Sequence, residues 1–188
     1  MLLVQQEQTV HPDIPVEVWA FDEHRIGLKP ILRRIWARRG SSPRAVVQHR
    51  YEWLYLYAFV HPHTGRTSWW LVPTVRTDIF SQVLAAFARE VGAGPQKQIL
   101  LVLDNAGWHT SAEVRVPAGL HLVFLPPYSP ELQPAERLWP LTNAPLLNRA
   151  FASLDDLIAV QSERCCVLVS QPLRIRSATR FHWWPSTA

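Results

Sequence analysis

The segment Ile99–Leu100–Leu101–Val102–Leu103–Asp104–Asn105–Ala106–Gly107–Trp108–His109 constrains the fold more than any other part of the chain. Five consecutive aliphatic residues read as a strand buried on both faces, which requires a sheet covered on both sides. The run stops on Asp104 and a polar, Gly-containing turn. In an open α/β sheet, chemistry sits at the carboxyl ends of the strands. An Asp–Asn pair also opens ordinary turns, and taken alone the dipeptide favours that plainer reading. Two further acids in matching contexts, Asp22 and Glu136, reverse the preference.

Val16–Phe21 (V-E-V-W-A-F) is a second apolar strand, and it delivers Asp22–Glu23–His24 at its exit. Of the two acids, Asp22 follows the apolar run directly, and the period of two in a strand turns Glu23 to the opposite face. Tyr51–His61 and Thr67–Val72 are aromatic and β-prone, and the breaker-rich His61–Pro–His–Thr–Gly–Arg turn between them predicts a hairpin. His61 and His63 near its tip read as exposed turn histidines, with a metal pair as the less favoured alternative. Thr77–Val91 carries an apolar stripe at helical spacing, with Thr77 as a cap, Asp78 in the first turn and Gly92 at the end. A strand–helix–strand crossover into 99–104 therefore predicts a parallel pair.

After Asp104 a poorly periodic segment leads to Gly119, with a helical turn or two expected from Ser111. His121–Leu125 is the next strand, and it ends on the proline-punctuated loop Pro126–Pro127–Tyr128–Ser129–Pro130. Pro134 suits the first position of a helix, which places Glu136 in its first turn, while Pro140 kinks or restarts that helix. Ser153–Leu–Asp–Asp156 opens a further helix reaching about Val169. The organisation expected is a tail or linker over 1–15, a body over 16–170, and a basic, aromatic tail over 171–188 that holds a short helix docking by its tryptophans.

A chain of 188 residues with 48% apolar and 18% charged side chains suits one domain with a substantial core. It has no apolar run of membrane-spanning length, and its N-terminus is too short and polar for a signal peptide, so the expected compartment is the cytoplasm. The only cysteines, Cys165 and Cys166, are adjacent, which suits reduced, semi-buried filler. The formal charge is +4, and of 19 basic residues only Lys29 and Lys97 are lysines. Arg33, Arg34, Arg38, Arg39, Arg44 and Arg50 crowd one region around Trp36. Planar guanidinium groups beside an aromatic suit a phosphate backbone and a stacked base. A solvated surface, with Trp36 capping the core, explains the same residues.

Three acids stand at strand or helix ends: Asp22, Asp104 and Glu136. Gathered together they repel unless cations neutralise them. Hard oxygen donors select Mg²⁺ or Mn²⁺. A pair of such ions activates a nucleophile on one side of a phosphodiester and stabilises the leaving oxygen on the other.

The motifs Phe21–Asp22–Glu23, Leu103–Asp104–Asn105–Ala106–Gly107–Trp108–His109 and Leu125–Pro–Pro–Tyr–Ser–Pro–Glu–Leu–Gln–Pro–Ala–Glu136–Arg–Leu–Trp139 carry a resemblance. Over roughly residues 16–170 the chain resembles the catalytic domain of DDE transposases of the insertion-sequence 630 and Tc1/mariner superfamily. The 32-residue interval from Asp104 to Glu136 is close to that superfamily's spacing. The resemblance implies an α/β, ribonuclease-H-like mixed sheet flanked by helices. It implies Asp22, Asp104 and Glu136 as the catalytic, metal-binding triad for two Mg²⁺ ions, with Mn²⁺ as a substitute. It implies that Asn105 and His109 line the site, Asn105 orienting a ligand and His109 contacting the scissile phosphate or a water. For His109, capping the following segment is an equal alternative. Tyr128 and Ser129 would steer Glu136 inward.

The activity implied is DNA cleavage at transposon ends followed by strand transfer, carried out by a homodimer. Arg33, Arg34, Trp36, Arg38, Arg39 and Arg44 are the candidate DNA contacts. The pattern departs from the family at Gln133, where asparagine is expected. Helix-turn-helix modules usually precede such a domain, so the chain reads as a catalytic half, either made from a split or frameshifted frame with an upstream helix-turn-helix partner or a truncated genomic copy. Two rival readings are a silent remnant that binds DNA without cutting and a nuclease for RNA–DNA hybrids, the latter disfavoured by Pro-Pro-Tyr-Ser-Pro.

Overall fold

A computed structural model of the chain describes residues 9, 13–42, 44, 50–127 and 129–185. Five strands form one sheet: β1 (Val16–Gly27), β2 (Trp53–His61), β3 (Arg66–Val72), β4 (Gln98–Leu103) and β5 (Leu120–Phe124). Their order across the sheet is β3-β2-β1-β4-β5. The β1–β2 and β2–β3 pairs are antiparallel, and β1–β4 and β4–β5 are parallel. This is the mixed, helix-flanked sheet of the ribonuclease-H-like fold.

β1 is twice as long as its apolar run suggests. Its first part, Val16–Ala20, pairs with Gln98–Val102 of β4, while Ala20–Gly27 pairs with Val60–Trp53 of β2. Asp22 is therefore within a strand, not at its exit. The antiparallel ladder to β2 carries the backbone on, and buried Ile26 and Leu28 continue the pattern beyond the acids. Asp22 lies just past the point where β1 leaves β4.

Helix α1 (Thr77–Val91) supplies the crossover from β3 to β4. Phe80, Val83, Leu84, Phe87, Ala88 and Val91 bury its stripe, and Gly92 ends it with φ of +73°. The cap is Arg76 in extended conformation, without a side-chain bond; Thr77 lies inside the helix, where its carbonyl accepts from Ser81. α1 packs on the sheet face formed by Trp19, Phe21, Phe59, Leu101 and Leu103. Phe59 and Phe87 stack with centroids 4.0 Å apart. Four-residue helix α2 (Gly107–Thr110) follows Asp104 directly, ahead of the expected start at Ser111.

The other face, with Val18, Ala20, Ala58, Val60, Leu100 and Val102, is covered by a 3₁₀ segment (Pro134–Leu138) and by Leu168, Ile175 and Trp184. Pro140 restarts the chain as α3 (Trp139–Asn143). α4 (Leu154–Val169) begins at Ser153, whose hydroxyl accepts from the Asp156 amide as the capping pattern predicts. α5 (Pro172–Thr179) contributes buried Ile175. The stretch read as a C-terminal tail is packed into the body through Ile175 and Trp184. Gly65 in the β2–β3 turn has φ of +77°, and a Cβ there would strike the Pro172 carbonyl.

His61 is buried rather than exposed, bonded to Thr64 and packed on Trp19. Cys165 is buried, Cys166 exposed, and both are free. No described helix is long and apolar enough to cross a membrane. Most of residues 1–15, and Tyr128, lie outside the described residues.

Candidate active site

Alternation along two strands brings the first two acids together. Ala20 of β1 pairs with Val102 of β4, and both belong to the face covered by the 3₁₀ segment. Asp22 is two residues on from Ala20 in β1, and Asp104 is two residues on from Val102, just past the end of β4. Each aspartate thus follows the last paired position of the two strands, where the backbones run about 4.8 Å apart. Glu136 comes from the 3₁₀ segment lying over this face. All three line one groove of about 400 Å³, with Asn105, Ser129 and Gln133 and the Pro126–Pro127 turn.

Both oxygens of Asp22 are occupied. One accepts from the Glu23 amide at 2.9 Å, the other from the Trp139 indole N–H at 2.9 Å. Trp139 is itself stacked on His24, centroids 4.9 Å apart, and His24 bonds Asn143. Gln133 is 3% exposed and makes two ties. Its amide N–H donates to the Phe21 carbonyl at 2.9 Å, and its oxygen accepts from the Ala135 amide. The side chain thus joins β1, next to Asp22, to the first turn that presents Glu136. Its extra methylene over asparagine provides reach across that gap.

Asp104 accepts from the Ala106 amide at 3.1 Å and from His109 Nδ1 at 2.8 Å. Asn105 donates to the Leu125 carbonyl and ties the exit of β4 to the exit of β5. His109 does not line the groove. It is buried behind Asp104, with Nε2 3.3 Å from Glu23 Oε2. It touches neither the groove nor solvent, because α2 starts immediately after Ala106 and turns the imidazole under the sheet end.

Burial pushes the Asp22 carboxyl up to about 8, with repulsion from Glu23 and Glu136 added and the Trp139 bond opposing. Partial burial also raises Glu136, opposed by Arg137 and reinforced by Asp104 and Glu131. Asp104 is held below its ordinary value by the His109 hydrogen bond, against burial. Burial draws His109 down, yet its hydrogen bond to Asp104 and the Glu23 carboxylate beside Nε2 carry it up to about 9. The groove thus pairs an ionised aspartate with two acids reluctant to ionise.

Among the described residues no three His, Cys, Asp or Glu side chains converge closely enough to hold a single ion. Asp22, Asp104 and Glu136 share the lining of one groove and would be the residues to hold a cation there. An all-oxygen donor set with two raised carboxyl pKa values fits hard divalent cations, which favour the ionised form.

The candidate DNA contacts lie elsewhere. Ile31 bridges to Leu147, and the backbone of Arg33 exchanges two bonds with the Asn148 side chain. Beyond this anchor the chain from Arg34 to Gly40 is exposed, and Trp36 is fully so; it caps no core. Arg38, Arg39 and Arg44 are exposed. Sequence reasoning missed Trp139 as a partner of Asp22, although an indole N–H three residues after Glu136 was the available signal.

The sequence model of the DDE superfamily endonucleases matches residues 17–158. An uncharacterized protein of Sinorhizobium fredii (strain NBRC 101917 / NGR234), y4pE/y4sA, is 35% identical over 136 residues, spanning 70% of this chain and 96% of the relative. Solved structures with the same fold include the Mos1 mariner paired-end complex with Mn, at 17% identity and a TM-score of 0.57. Another is the Mos1 strand transfer complex, at 16% identity and a TM-score of 0.55. Each comparison covers 96% of this chain and about 60% of the Mos1 chain. With the family's sequence pattern over three quarters of its length and the ribonuclease-H-like sheet beneath it, the chain belongs to the DDE superfamily endonucleases.

Proposed function

We propose that this chain is the catalytic domain of a transposase that cleaves DNA at transposon ends and joins the freed 3′-hydroxyl to target DNA. The observation that carries the reading is the register of β1 and β4: the motif aspartates Asp22 and Asp104 follow paired residues on one sheet face, and Glu136 lines the same groove. Family membership and the Mos1–DNA complexes among the structural neighbours support it.

Asp22, Asp104 and Glu136 would hold two Mg²⁺ ions, or Mn²⁺ in their place. Bound there, such ions activate the attacking oxygen and stabilise the leaving oxygen of a phosphodiester. The chain's own residues prepare the carboxylates. Trp139 and the Glu23 amide fix the Asp22 carboxylate, His109 keeps Asp104 ionised, and Gln133 couples the backbone beside Asp22 to the turn bearing Glu136. Arg33, Arg34, Trp36, Arg38, Arg39 and Arg44 would grip the DNA backbone without reading sequence. End recognition would come from a helix-turn-helix part, and paired-end cleavage from a homodimer acting on nucleoid DNA in the cytoplasm.

The test is Mg²⁺-dependent nicking of DNA carrying the cognate ends. Asp104→Asn and Glu136→Gln should each lower cleavage by about 10³-fold or more with the fold intact. Unchanged cleavage in either variant refutes the triad. DNA binding without cutting in the unmodified chain, even with the upstream part supplied, selects the silent-remnant reading.

A further inference from the structure

Behind Asp104 is an arrangement of which the groove chemistry above uses only the bond from His109. His109 bears a carboxylate on each ring nitrogen: Asp104 Oδ1 at 2.8 Å from Nδ1 and Glu23 Oε2 at 3.3 Å from Nε2. The imidazole is 1% exposed and Glu23 11%, whereas Asp104 is 56% exposed. The rings of Phe80 and Phe21 confine the imidazole, with centroids 4.6 and 5.4 Å away. Neither Nε2 of His109 nor Oε2 of Glu23 has a hydrogen-bond partner of good geometry among the described residues, so each faces the other. The line Glu23–His109–Asp104 runs from the α1 side of the sheet to the groove.

We propose that Glu23 is a positioning residue for the Asp104 carboxylate, acting through His109. Asp104 sits where β4 ends, and among the described residues the Ala106 amide and His109 hold its side chain. An imidazole held by a carboxylate at each nitrogen and confined by two rings keeps one orientation. Glu23 thereby fixes the ring that aims Nδ1 at Asp104. Partners placed behind a metal ligand in this way govern cation affinity although they never touch the ion. The plainer role for Glu23, neutralising a buried histidine, predicts an effect on folding alone. The inference rests on the reading of Asp104 as a cation ligand.

Mn²⁺ binding to the full chain without DNA, followed by electron paramagnetic resonance, tests it beside thermal unfolding. Glu23→Gln and His109→Asn should each weaken Mn²⁺ binding about 10-fold. The double variant should bind no more weakly than His109→Asn alone, because Glu23 acts only through the histidine. A folded Glu23→Gln that binds Mn²⁺ like the unmodified chain overturns the proposal, as do single effects that multiply in the double variant. Where Glu23→Gln does not fold, Glu23→Asp replaces it, withdrawing the charge by one methylene. Unfolding of both, with a folded His109→Asn that binds normally, also overturns it. Normal Mn²⁺ binding by Asp104→Asn strikes the underlying cation-site reading instead.

Discussion

Replacing Asp22 with asparagine should stabilise the cation-free protein by an amount that grows with pH. The Asp22 carboxyl is pushed up to about 8 in the fold from an ordinary 3.8. Between those values the native state holds a proton that the unfolded chain has released. Stability from this group is complete below the unfolded value and is lost as pH rises toward 8. The slope is at most about 1.4 kcal/mol per pH unit. From pH 5.5 to 7.5 that caps the change near 3 kcal/mol, and halving it for a groove open to solvent leaves about 1–1.5 kcal/mol. In a chain of this size this is about 2–6 °C in Tm. The asparagine amide cannot accept from both Trp139 and the Glu23 amide through separate oxygens, but that loss does not depend on pH. Thermal unfolding of both proteins in chelator at pH 5.5, 6.5 and 7.5 reads the gap directly. A gap that stays constant over the three pH values refutes a protonated, repelled Asp22. By the same linkage, Mn²⁺ affinity of the unmodified chain should rise over this range, since binding displaces the proton.

Trp139→Phe keeps the stack on His24 but removes the donor to Asp22; we expect Mn²⁺ binding weaker by several-fold and a stability loss of about 1 kcal/mol, read by titration and urea unfolding. Gln133→Ala leaves the Phe21 carbonyl and the Ala135 amide without their tie, which should cost about 1–3 kcal/mol and lower cleavage more than stability predicts. Phe87→Ala opens a void against Phe59 and Trp19 and should lower unfolding free energy by about 3–5 kcal/mol without altering Mn²⁺ affinity once refolded at low temperature. Replacing Arg33, Arg34, Arg38 and Arg39 with alanine should weaken DNA binding independently of sequence. It should also flatten the dependence of log affinity on log salt, by roughly 0.9 for each phosphate no longer neutralised, measured by filter binding.

What periodicity could reveal in this chain was local. The aliphatic run of β4, the stripe of α1 and the breakers around Gly65 each report burial or turning of their own segment, and all three elements formed where their residues predict. The extent of β1 was not legible that way, because it depends on the antiparallel ladder supplied by β2, whose partners are dozens of residues away. The same holds for the site. Acids after apolar runs identified Asp22 and Asp104 as candidates, since a strand's alternation can be followed through its end. The depth of His109, the reach of Gln133 and the Trp139–Asp22 bond depend on where separate elements meet, and no single segment encodes that. Trp36 shows the limit from the other side: its type suits a core, but the segment that carries it leaves the Ile31–Leu147 anchor with Trp36 fully exposed.

The parallel pairing of Val16 with Gln98 also governs when the site exists during synthesis. A ribosome must extrude β4 before β1 has its second neighbour, and must pass Trp139 before Asp22 acquires its indole partner. Chains interrupted in their first hundred residues therefore carry Asp22 but no groove. Loop closure over such distances is slow relative to hairpin formation, so β2 and β3 meet β1 first. On that order the half of β1 that bears Asp22 gains its β2 partner before the groove shared with Asp104 and Glu136 can close over it.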